Sequence, residues 1–104
     1  MFVGVGRFDI LLPPSSSLKQ KRKFVRPLLA HLHHTFEVSA AETDYLDLFA
    51  RTEVSVSVVS NKPSHCREVL TKCEQVFQVR PEYELLASRL RVFSDEDFER
   101  GYDL

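Results

Sequence analysis

From Phe2 to Leu12 the chain alternates. Phe2, Gly4, Gly6, Phe8, Ile10 and Leu12 share one side, while Val3, Val5, Arg7, Asp9 and Leu11 share the other, the period of a strand. Pro13-Pro14 ends it, and the period then changes. Leu18, Val25, Leu28, Leu29, Leu32 and Phe36 recur at spacings of three, four and seven. They form the single apolar stripe of a helix running from about Leu18 to Thr35. Ser17 is its expected N-cap, with Ser15 and Ser16 as alternatives. An extended stretch follows from Phe36 to Asp44, then a turn or one helical turn from Tyr45 to Arg51. Between Thr52 and Ser60, Val54, Val56 and Val58 alternate with Ser55, Ser57 and Val59, and this β-branched strand suits the middle of a sheet. Asn61-Lys62-Pro63-Ser64 starts a second helix, with Asn61 or Ser64 as cap and Pro63 in the first turn. Its stripe is Cys66, Val69, Leu70, Cys73, Val76 and Phe77, through about Val79. Pro81 ends it. Tyr83 to Phe93 reads as a last strand, interrupted by charges as an edge strand is.

The order β-α-β-β-α-β, with right-handed crossovers, predicts an α+β, ferredoxin-like sandwich. Its antiparallel sheet has four strands in the order 4-1-3-2, with both helices on one face. Residues 1–93 make one domain, and 94–104 an acidic, loose tail. Gly4 and Gly6 let a helix approach the first strand closely. Gly4-Val5-Gly6 is not a dinucleotide fingerprint, because the third glycine is missing and the pair lies within the strand. The face away from the helices carries Val3, Val5, Ser39, Ala41, Ser55, Ser57 and Val59. So smooth a face predicts an interface, most simply with a second copy of the chain, and hence a homodimer.

Charge alters this picture locally. Across 104 residues the net charge is −1, which does not announce a nucleic-acid binder. The first helix, however, is purely basic. Lys19, Arg22, Lys23 and Arg26 fall at i, i+3, i+4 and i+7, a second stripe beside the apolar one, and Lys21 sits at its edge with its stem laid across apolar surface. Cations in the first turns oppose the macrodipole, each at a cost of about 0.3–1 kcal/mol. Pro27 removes a hydrogen bond inside the same helix. This unfavourable arrangement points to an anion or RNA contact made by Ser17, Lys19, Lys21, Arg22, Lys23 and Arg26, with free helix N–H groups adding to it. The third strand offers no aromatic ring for base stacking, so phosphate contacts through the helix are expected instead. The acidic tail, with Asp95, Glu96, Asp97, Glu99 and Asp103, would fold back over that helix if the protein masks itself.

Cys66 and Cys73 lie seven apart on one helix, too far for a disulfide, and read as core thiols in a reducing compartment. No apolar run spans a membrane and no signal peptide is evident, so the expected place is the cytoplasm. His31 and His34 form an exposed pair, with His33 pointing elsewhere and nothing nearby to complete a metal site. His65 and Cys66 are neighbours that face different ways. Glu42, Asp44 and Asp47 are a compact acidic group expected to cap a turn and pair with Arg51. Nucleophile, base and pocket do not come together, so no enzyme, cofactor, metal or small-molecule substrate is expected.

Four runs together carry a resemblance: Ser16-Ser17-Leu18-Lys19-Gln20-Lys21-Arg22, Ala41-Glu42-Thr43-Asp44, Asp47-Leu48-Phe49-Ala50-Arg51-Thr52-Glu53, and Val58-Val59-Ser60-Asn61. The chain resembles, up to about Phe93, the YlxP-like family of small bacterial proteins of unknown function. Members of that family typically carry Ser-Leu-Lys-Glu-Lys-Arg, Ala-Glu-Val-Asp, Asp-Leu-Trp-Gln-Arg and Val-Val-Ser-Asn in this order. The resemblance implies a ferredoxin-like bacterial cytoplasmic protein. It also implies a link to ribosomal RNA or the small ribosomal subunit, since such genes often lie beside translation genes. It marks Glu42, Asp44, Asp47, Arg51 and Asn61 as motif positions without assigning them a role. Gln20 replaces the usual acid and Phe49 the usual Trp; Pro27 and the His31–His34 stretch are further departures.

Overall fold

The computed structural model describes residues 1–98. Its elements are β1 (Phe2–Leu11), α1 (Leu18–Phe36), β2 (Ser39–Asp44), β3 (Arg51–Ser60), α2 (Pro63–Val79), β4 (Glu84–Ser94) and a 3-10 turn, Asp95–Phe98. The sheet order is β2-β3-β1-β4, every neighbouring pair antiparallel. This is the α+β, ferredoxin-like arrangement that the periodicity predicts.

The alternation in β1 sets the layers. Phe8 and Ile10 have no solvent exposure, and they pack with Leu28, Leu32, Val54, Val56, Leu70 and Phe77 in one core. Helix α2 lies over β1, β3 and β4, whereas α1 lies over β2. Phe8 and Phe77 meet with ring centroids 4.8 Å apart. At Gly4 an added Cβ would come 3.0 Å from Leu70 and Val58 side-chain carbons and 3.1 Å from the Cβ of Cys66. The glycine is therefore what lets the first turn of α2 rest on the sheet. Cys66 and Cys73 are both buried free thiols, and burial pushes the Cys73 thiol up to about 11, where it is not a nucleophile at neutral pH.

Local signals hold with small changes. Ser17 caps α1, its Oγ accepting the Gln20 N–H at 3.1 Å. The Gln20 side chain returns to accept the Ser16 N–H at 2.8 Å, close to a capping box. The start of α2 differs from expectation. Lys62, and neither Asn61 nor Ser64, is the N-cap residue, with no side-chain cap bond and Pro63 just inside. With Pro63 supplying the fixed φ and removing one orphan donor, a side-chain cap is less needed. In the tail, residues 95–98 form the 3-10 turn. Asp97 accepts the Ser94 N–H at 2.7 Å, and Asp95 lies 3.5 Å from the N-terminal amine. The rest of the expected loose tail, 99–104, and any folding of it over α1 lie outside the described residues.

Candidate functional site

Helix α1 presents two faces with different fates. Lys19, Arg22, Lys23 and Arg26 are all exposed. Together with Pro27 they line a shallow hollow of about 540 Å³. None of the four takes part in an ion pair among the described residues, and no acid stands in the first turn. Neighbours at i, i+3 and i+4 are about 5–6 Å apart at Cβ, so the four charges repel one another and an anion set among them relieves that repulsion.

Lys21, expected in this group, does not belong to it. It is 2 % exposed, with Nζ 2.8 Å from Glu42 Oε2 and donating to the Tyr45 carbonyl at 2.7 Å. The reason is register. Glu42 opposes Val54 on β3, so its carboxylate lies on the helix side, under α1, and draws the ammonium in. Ser17 is also committed, as the cap. Its partner Gln20 holds the Ser16 amide, so the N–H groups offered to an anion are partly satisfied within the chain.

Four of the five family-motif residues, Glu42, Asp44, Asp47 and Arg51, gather around Tyr45, which adopts a left-handed backbone (φ 59°). Glu42 binds Lys21 and accepts the Thr52 hydroxyl at 2.6 Å. Asp44 accepts the Tyr45 N–H at 2.7 Å, as a turn cap. Asp47 is exposed and borders a hollow of about 310 Å³ with Lys21, Arg22, Glu42 and Leu46. Arg51 does not pair with these acids. It makes a two-pronged contact with Asp9 at 2.9 and 2.6 Å and lies 4.1 Å over the Tyr45 ring. Asp9 and Tyr45 were not legible as site residues, because strand pairing, not proximity in sequence, brings Asp9 to this end. Asn61 is exposed and has no side-chain hydrogen bond here.

The Arg51 hydrogen bonds, and secondarily its charge, hold the Asp9 carboxyl below the usual range, against the opposing effect of burial. A lowered folded-state value means that Asp9 stabilises the fold above its unfolded value of about 4 and loses that contribution as pH falls through the folded value. Asp9→Asn is therefore expected to be less stable than the parent near neutral pH. The gap should close in acid, as read by urea unfolding at the two pH values. A gap that persists unchanged in acid would assign the loss to something other than the carboxylate.

The open face of the sheet is smooth only on one side. Val3 and Val5 are half-buried, and Val59, opposite Val3, is 65 % exposed. Toward β4 the face changes. Phe93, Arg91 and Arg89 oppose Val3, Val5 and Arg7, so an expected small, apolar interface carries three arginines and a phenylalanine. At the end of α1, His33 Nδ1 lies 2.9 Å from the Val38 carbonyl and His31 Nδ1 3.2 Å from the Thr35 hydroxyl. Among the described residues no group of three metal-ligating side chains forms, and no helix is long and apolar enough to cross a membrane.

A family model described as a protein of unknown function, DUF503, matches residues 3–90. The uncharacterized protein YlxP of Bacillus subtilis (strain 168) is 25 % identical over 91 residues, covering 88 % of this chain and 99 % of that relative.

Proposed function

The chain belongs to the DUF503 family of proteins of unknown function, and from that premise we propose that it is a binding protein, not an enzyme, that grips the phosphate backbone of folded RNA through α1. One observation carries this reading: four exposed cations line one hollow, and none of them makes an ion pair among the described residues. Phosphate oxygens are the ligands such a surface suits. The contact fixes position on the RNA and reads little sequence. Ribosomal RNA of the small subunit is the first RNA to try, because the family resemblance points toward translation. The cytoplasm is the compartment that goes with this reading.

Titration into structured ribosomal RNA at several salt concentrations tests it. Each neutralised phosphate contributes a log–log slope of about −0.7 to −0.9, so four contacts give roughly −3. Arg22→Glu with Arg26→Glu is expected to weaken binding at least tenfold and to remove about half of that slope. The charges are exposed, so the variant should fold. Unchanged affinity, or no binding by the parent at low salt, overturns the reading. A contact between two copies through the open sheet has Val3, Val5 and Val59 in its favour, and three arginines on the same face against it.

A further inference from the structure

We propose that the open sheet face between β1 and β4 is a second binding site, independent of α1, for the backbone of single-stranded nucleic acid, with Phe93 as a stacking platform. Val5, Arg7, Arg89, Arg91 and Phe93 line one hollow of about 150 Å³ on that face. Arg7 and Arg89 are direct partners across the strands, which places their Cβ atoms about 4.5–5.5 Å apart. Like charges set opposite each other destabilise a sheet, and Arg91 adds a third two residues along the same edge. Only Glu53 answers them among the described residues, at 3.1 Å from Arg7. That carboxylate is already held by the Thr43 hydroxyl at 2.7 Å. Arg89 and Arg91 are left without an acidic partner there.

An anionic ligand satisfies this cluster, and the arrangement selects its form. Arg89 and Arg91 are separated by about 6.6 Å along the strand, comparable to successive phosphates on an extended strand. Guanidinium groups match phosphate oxygens in two-pronged contacts. The Phe93 ring, half-buried beside them, has the Arg91 guanidinium over it at 5.0 Å. A base stacking on the ring takes the place of that guanidinium and frees it for a phosphate. Paired bases in a duplex cannot present a face in this way, so the ligand is single-stranded. The helices cover the opposite side of the sheet, so this site and the α1 stripe address different ligands or different parts of one.

The probe is a fluorescein-labelled single-stranded RNA homopolymer, read by anisotropy at several salt concentrations. Arg89→Thr with Arg91→Thr, which keeps strand propensity, should weaken binding at least tenfold and reduce the log–log slope by about 1.4. Phe93→Leu should weaken it roughly tenfold with the slope unchanged. The α1 double variant is measured in parallel on structured RNA, where the sheet variants should have little effect. Strand binding that survives the arginine substitutions overturns the proposal, whatever becomes of the α1 reading. So does strand binding lost only with the α1 charges. A mononucleotide should bind at least tenfold more weakly than the strand, and equal affinity would also overturn it.

Discussion

Glu42→Ala should cost about 3–5 kcal/mol of folding stability, a large part of the roughly 5–15 kcal/mol that a domain of this size has. The side chain of Lys21 is 3 % exposed, and Glu42 is its one ionic partner among the described residues. Removing the carboxylate leaves an ammonium in the interior with, among the described residues, only the Tyr45 carbonyl to satisfy it. A buried charge without its counterion loses far more than the pair gained on forming. Removing both charges is gentler, so Lys21→Met with Glu42→Gln should recover much of the loss. Urea unfolding reads the difference as a midpoint shift of about 2 M for the single variant. A loss below about 1 kcal/mol would mean that the ammonium reaches water when its partner goes.

Gly4→Val should destabilise by about 3 kcal/mol, at the upper end for overpacking. Three carbons lie within 3.1 Å of the new Cβ. The methyls of Leu70 and Val58 have some room to turn. The Cβ of Cys66 does not, because it is fixed to the backbone of α2. The helix must give by a few tenths of an ångström at its first turn, and the two further methyls of valine need room as well. For a domain of this size 1 kcal/mol moves the melting midpoint by about 4–8 °C, so a fall of roughly 12–24 °C is expected by calorimetry. Gly4→Ala should lie well inside that range. A valine variant that melts with the parent would show that α2 is not seated on this glycine.

The fold was legible because its signals are local. The alternation from Phe2 to Leu12, the stripe of α1 and the serines before it each carry their own period or cap, and the strand order follows from their sequence. The site was legible only in part. The four cations of α1 stand out within one helix. The burial of Lys21 does not, since it depends on Glu42 reaching the helix side of β2 through the register with β3. Arg7, Arg89, Arg91 and Phe93 look like scattered charges on an edge strand until β1 and β4 are aligned. The acids at 42, 44 and 47 were legible as a group but not in their partners. Arg51 goes to Asp9, and Lys21 takes Glu42.

The place of β1 bears on how the chain is made. Of the four strands of the sheet it is made first, and both its neighbours come later. Phe8 waits for Val54 on one side and for Ser88 on the other, from position 8 to position 88. At about 5–20 residues per second that is roughly 4–16 s of synthesis. Until β3 is made, Phe8 and Ile10, which have no exposure in the finished molecule, lie between two unpaired strand edges, and one edge stays open until β4 follows. The middle of the sheet is thus the segment with most need of a chaperone on the nascent chain, because α2, the helix that lies over β1, begins only at Pro63.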